Sequence, residues 1–348
     1  AQTMDPSSID RSEKLAELYL VAGPDYLDKA VDQHMRMLRV EPFKYDSYKA
    51  LGRIYMDAHQ YDKRWCVCNT LAFLKKADPD EVQFFEQYKP RGRVKAKNVM
   101  GPDVWGKMIH PDENRYISAV FAAVWQGVAA MKGYAHKELG IKRKDKRQLI
   151  GDQLMFSKLF VYAAQILNVP LPEVFLVEDG KNVDMQLANF MEKSELVPSF
   201  VVRPQLLQGR TEREIAFLSA RRLTFMRPEY YLKMLLPTNT ELKVAFLSAI
   251  AMVQPRFPIP PDAMPLVQQY LPEVQKRTPP HALEQLAVVV NRFVQAQPEI
   301  NLAKWGHSVD AVAQRAGFVL CGDLEVAARM VSAEPVTVGG PQVKDRIK

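Results

Sequence analysis

Residues Thr211–Phe225 read TEREIAFLSARRLTF. Thr211 with Glu214 three residues on is a capping box: the hydroxyl accepts from the helix backbone and the carboxylate reaches back to the cap. A helix therefore opens here, runs through IAFLSARRLTFM and stops at Pro228. Working backwards, PSFVV (Pro198–Val202) and MQLANF (Met185–Phe190) have strand composition. Pro170 and Pro172 force extension in LNVPLPEVFLVEDG before a further strand, Val174–Val177. Two apolar-periodic helices, Arg115–Glu138 and Asp152–Leu167, precede these strands. Forward of Met234 lie amphipathic helices (ELKVAFLSAIAMV, MPLVQQYLPEVQ, ALEQLAVVVNRFV) separated by proline joints at Pro255–Pro261 and Pro279–Pro280. The fold class that follows is mainly α with a small β-sheet (α+β).

Helix, three small strands and a capped helix is the order at the centre of HtpX-like and CaaX-protease-like zinc metallopeptidases, the gluzincin group, and residues Asp152–Val331 resemble them. In that group the capped helix bears HExxH, two imidazoles one turn apart for zinc and a glutamate that polarises water. Here the matching residues are RRLTF: Arg221 and Phe225 stand for the histidines and Arg222 for the glutamate. The group also has a later helix with a glutamate ligand, an aspartate four residues on, Arg-Ala-Gly and a Cys-Gly-Asp turn. The corresponding stretch, DAVAQRAGFVLCGDLEVAARM, retains Arg315, Ala316, Gly317, Cys321, Gly322 and Asp323, with Asp310 for the glutamate and Gln314 for the aspartate. A guanidinium offers only donors and a phenyl ring no lone pair, so neither ligates a cation. The six histidines are scattered, with no two at ligand spacing. The resemblance thus implies a pseudoenzyme of bacterial origin, with no metal and no cofactor. Without zinc an acidic ligand needs another cation, and we expect Arg221 or Arg222 to pair with Asp310. The rival expectation is that these arginines face a cleft and bind an acidic peptide or phosphate.

Towards the N-terminus, a shift of 34 residues aligns Ala30, His34 and Pro42 with Arg64, Cys68 and Lys76. The stretch SYKALGRIYMDAHQYDKRWCVCNTLAFL, with Tyr48, Leu51, Gly52, Tyr55 and Tyr61, resembles a tetratricopeptide repeat, and EKLAELYLVAGPDYLDKAVDQHMRMLRVEP matches it with a one-residue misfit near Gly23 and Pro24. Gly52 is expected to let two antiparallel helices approach closely. Two repeats bury little, so DEVQFFEQY after Pro79 reads as a closing helix, or earlier repeats have been cut away. Asp46, Lys49, Arg53 and Met56 are expected to line a concave groove, where Lys49 and Arg53 could hold an acidic peptide or a C-terminal carboxylate. The bland reading is a solvated charged face.

Between these parts, Gln87–Asn98 carries Lys89, Arg91, Arg93, Lys95 and Lys97 without an acid, and Pro90 and Gly92 break any helix. KRKDKR adds Lys142, Arg143, Lys144, Lys146 and Arg147 against Asp145. Together these runs exceed the net charge of +7 of the 348-residue chain, which leaves the remainder close to neutral. Interleaved aromatic residues for base stacking are missing, which disfavours nucleic acid. The bland account is a soluble linker and a charged helix cap.

Other chemistry finds little support. Cys66, Cys68 and Cys321 have no four-ligand zinc spacing and read as intracellular. The longest apolar run, Ile117–Met131, is a buried core helix, because a bilayer span needs about 20 residues. His307, Ser308 and Asp310 are too close along a helix to form a relay, and Tyr230 and Tyr231 read as packing. No phosphate-cradling glycine motif occurs. The chain opens without methionine or a signal-like segment, which suggests a fragment or processed product.

The expected layout is tetratricopeptide repeats with a closing helix over 11–88, a basic linker over 89–113, a degenerate metallopeptidase-like domain over 114–331 and a flexible tail over 332–348. The expected function is a cytoplasmic, non-catalytic scaffold for a protein or peptide partner, with an acidic peptide as a candidate. Its rivals are a metallopeptidase using Asp310 with a distant histidine, and a basic module that binds nucleic acid or anionic membrane through Lys89–Lys97 and Lys142–Arg147.

Overall fold

The computed structural model describes residues 8–90, 96–181, 183, 185–192, 195–334 and 346, and of Leu206 the backbone only. They fall into two compact units, 8–90 with 331–334 and 346, and 96–330. The architecture is mainly helical with one three-stranded mixed sheet.

In the first unit five helices follow one another: α1 (Ile9–Ala22), α2 (Leu27–Val40), α3 (Tyr45–Asp57), α4 (Tyr61–Phe73) and α5 (Pro79–Tyr88). Each packs on the next, so α1–α2 and α3–α4 are two helical hairpins closed by α5. Leu51, Val67 and Leu71 form the core between α3 and α4, with Tyr48 and Tyr55 packed against them. Gly52 is less crowded than expected. A Cβ there would lie 3.5 Å from Val67 Cγ1, an ordinary contact, so the helices do not depend on a missing side chain. Arg64 reaches across the hairpin and donates to the Gly52 carbonyl at 3.0 Å.

The second unit begins inside the expected linker. α6 (Pro102–Met108) buries Trp105 and Met108, and Trp105 Nε1 donates to the Leu167 carbonyl at 3.1 Å. Large apolar side chains in this stretch make it part of a core rather than a spacer. α7 (Arg115–Met131) is the central helix, started by the Asn114 side chain accepting from Tyr116 and Ile117. It ends seven residues before the expected Glu138. The reason is the sheet: Tyr134 N–H donates to the Asn189 carbonyl at 2.7 Å and draws the chain into extended pairing.

α8 (Met155–Leu167) leads into β1 (Glu173–Leu176), β2 (Met185–Glu192) and β3 (Glu195–Val202). β3 is central, parallel to β1 and antiparallel to β2. Pro198 is tolerated there because pairing with β1 begins only at Ser199, so the missing N–H falls beyond that ladder. Then come α9 (Glu212–Thr224), α10 (Pro228–Leu235), α11 (Asn239–Val253), α12 (Met264–Arg277), α13 (Pro280–Ala296), α14 (Leu302–Cys321) and α15 (Leu324–Ser332). α7 contacts α10, α11, α12 and α13. Its Phe121 ring lies 4.8 Å from Trp305 and 5.8 Å from Phe246, and each such buried aromatic contributes about 1.5–3 kcal/mol. No helix among the described residues is long and apolar enough to cross a membrane.

Candidate functional site

The site that the sequence singles out lies where α9 packs against α14. At one end Arg213 of α9 is ion-paired with Asp323, whose carboxylate also caps α15 by accepting from Val326 N–H at 3.0 Å. In the middle, a Cβ on Gly317 would lie 2.7 Å from Phe217 Cδ2, so these two helices touch through a glycine. The two contacts fix an antiparallel register for α9 and α14.

The residues that carry the sequence resemblance have structural work in this arrangement. Arg315 Nη1 donates to the carbonyls of Met108 and Ile109 at 3.0 and 3.3 Å, fastening α6 to α14. Ala316 is fully buried. Gly322 ends α14 with φ +63°, a conformation that favours glycine. Cys321 is buried, and burial pushes its thiol up to about 11, so it is an inert core group rather than a nucleophile.

The positions that the resemblance assigns to metal ligands differ in kind. Phe225 is 3% exposed and Arg221 9%; Gln314 is buried; Arg222 is half-buried. Phe225 is the C-cap of α9 rather than a residue of its last turn. The cation recorded at Asp310 is neither arginine but Lys233 of α10, with Nζ 3.3 Å from Oδ2. This corrects the expected guanidinium pair. α10 turns back at Pro228 and lays Lys233 along α14, where its stem also passes Gly306. Among the described residues, no three His, Cys, Asp or Glu side chains converge on a point that could hold a metal ion.

No known protein family, curated protein or solved structure matches the chain. The chemistry of the site therefore rests on its geometry and on the sequence resemblance.

A second polar cluster escaped the sequence reading. Buried Glu113 accepts from Ser118 Oγ at 2.6 Å and Tyr230 OH at 2.9 Å, and Trp305 Nε1 donates to Ser118 Oγ at 2.9 Å. Burial pushes the Glu113 carboxyl above its ordinary range, against the hydrogen bonds from Ser118 and Tyr230, and burial likewise raises the Tyr230 phenol. Tyr231 donates to the Asn189 side chain, so the tyrosine pair packs inward as expected. Ser308 Oγ donates to the Lys304 carbonyl at 2.8 Å and takes no part in a relay.

The expected groove of the first unit is also altered. Asp46, Arg53 and Met56 are exposed on α3, but Lys49 is engaged: its Nζ lies 2.5 Å from Glu81 Oε2 and 3.0 Å from Asp78 Oδ2. Those carboxylates form the capping box of α5, so Lys49 fastens the closing helix to α3. Burial lowers the Lys49 pKa, but hydrogen bonds and charge from Glu81 and Asp78 outweigh it and raise the net value.

Of the basic runs, Arg91, Arg93 and Lys95 lie outside the described residues. Lys89 pairs with Glu86 at 3.6 Å and Lys97 is exposed. In the second run Lys146 pairs with Glu173, and Arg147 pairs in two-pronged fashion with Asp152 at 2.6 and 2.7 Å. Lys142, Arg143 and Lys144 are exposed on a short turn closed by Asp145, which accepts from Lys142 N–H at 2.8 Å.

Proposed function

We propose that the chain is a non-catalytic protein–protein interaction scaffold, pairing tetratricopeptide-like hairpins with a metallopeptidase-like domain that has lost its metal. The observation that carries this reading is the contrast along α9 and α14. Arg213 with Asp323 and Phe217 with Gly317 hold α9 to α14, and Arg315 fastens α14 to α6, while the positions that the resemblance assigns to ligands hold Arg221, Phe225 and Gln314. An ion pair to Lys233 neutralises Asp310, the one acid left at those positions. A guanidinium, a phenyl ring and a carboxamide in these places give neither a Lewis acid site nor an activated water.

In the hairpin unit, the exposed part of the proposed groove reduces to Asp46, Arg53 and Met56, with Arg53 as the cation for an acidic peptide end. The test is peptide and casein hydrolysis by the purified chain with added zinc, run beside affinity capture with the full chain. No cleavage, together with a partner whose capture weakens on Arg53→Glu, supports the proposal. Zinc-dependent cleavage that is abolished by Asp310→Asn overturns it in favour of the metallopeptidase reading.

A further inference from the structure

The segment 137–158 carries seven cations against three acids and interleaves them with exposed aliphatic side chains. Ile150, Leu154 and Met155 are 68%, 46% and 43% exposed. Their presentation is built. Arg147 and Asp152 clamp the base of a six-residue loop through two hydrogen bonds, Ser157 Oγ adds a third to the same carboxylate at 2.5 Å, and the buried Leu149 anchors the loop from inside. The loop turns at Gly151, with φ +83°, and leaves Ile150 at its tip. Leu154 and Met155 follow at the start of α8, where Lys158 is exposed one turn after Met155. On the approach to the loop stand Lys142, Arg143 and Lys144, with no ion pair among the described residues.

We infer that this loop docks the chain peripherally on an anionic lipid bilayer. Cations next to exposed aliphatic side chains match the layered chemistry of such a surface: phosphate charge outside, acyl chains beneath. A cation near an anionic membrane contributes a factor of about five in binding, so three give on the order of 100-fold. Ile150, Leu154 and Met155 would insert at the headgroup boundary. Nucleic acid fits less well, because it offers nothing for the aliphatic tip and the loop has no aromatic side chain exposed for stacking. The inference goes beyond the scaffold reading and does not rest on it.

The test is co-sedimentation of the full chain with phosphatidylcholine vesicles, with and without phosphatidylglycerol, beside retention of a single-stranded DNA. The expected result is salt-sensitive binding to the phosphatidylglycerol vesicles alone. Replacement of Lys142, Arg143 and Lys144 by Gln should weaken it on the order of 100-fold, and Ile150→Ser with Leu154→Ser should weaken it while leaving the salt sensitivity. All five side chains are exposed, and circular dichroism checks that the variants fold. Absence of binding to phosphatidylglycerol vesicles overturns the inference, as does binding unchanged by both sets of substitutions. DNA retention that depends on the three cations but not on Ile150 and Leu154, without vesicle binding, assigns the patch to nucleic acid instead.

Discussion

Gly317 of α14 faces Phe217 of α9 so closely that a Cβ would lie 2.7 Å from the ring. This glycine sets the spacing at which the Arg213–Asp323 pair closes at one end of the helices, and it lies within the segment that carries Gln314 and Asp310. The resemblance to metallopeptidases is thus written most firmly in residues that serve packing.

Gly317→Ala should destabilise the second unit by about 1–3 kcal/mol, because the Phe217 ring must leave its place in a filled core. Gly52→Ala should be neutral or stabilising by about 0.5–1 kcal/mol, since its Cβ meets only ordinary contact and alanine favours helix. Urea unfolding of the two variants checks the contrast.

Arg203 is 1% exposed at the end of β3 and holds Asp179 by two hydrogen bonds of 2.6 and 2.8 Å, with a third to the Val183 carbonyl. Its loss by Arg203→Ala should cost about 3 kcal/mol through unpaired groups in the β1–β2 connection. The guanidinium holds Asp179 well below the ordinary carboxylate range. A lowered folded pKa means stability that is present above the unfolded value, about 3.9, and lost as pH falls below it. The variant should therefore lose less stability than the parent across that acidic window, measured by urea midpoints against pH.

Glu113 gives the opposite sign. Its folded pKa is raised, so the native state holds the proton more tightly, and stability falls as pH rises from the ordinary glutamate value of about 4.3 towards the raised one. Glu113→Gln should remove that slope while keeping Ser118 and Tyr230 bonded. Glu113→Ala should be the more destabilising, by about 1–3 kcal/mol relative to Gln, because it leaves the buried hydroxyls unsatisfied.

Lys49→Ala should loosen α5 and lower the stability of the first unit by under about 1 kcal/mol, a small effect because the lysine and Asp78 are partly solvated. Arg53→Ala should leave stability unchanged. Limited proteolysis near Tyr88, with faster cleavage in the Lys49 variant alone, checks the assignment.

Local chemistry was legible in the sequence. The Thr211–Glu214 capping box forms as expected, with Glu214 N–H bonded to the Thr211 hydroxyl at 3.3 Å; β1 and β2 start within a residue of their expected positions, whereas β3 starts three residues earlier than expected, at Glu195. What sequence could not give are partners set by tertiary approach. Lys233 reaches Asp310 from another helix, Lys49 meets acids about thirty residues away, and Tyr134 ends α7 early by pairing with Asn189. The Glu113 cluster was missed because Pro102–Met108 read as linker, although Trp105 and Met108 were the signal that a core begins there.

The most direct test of the central claim is the zinc content of the purified chain after equilibration with excess zinc and removal of loosely bound ion by a weak chelator. With Arg221, Phe225 and Gln314 at the positions that the resemblance assigns to ligands, and Lys233 on Asp310, the account predicts no retained zinc. Stoichiometric zinc that is lost on Asp310→Asn would contradict it.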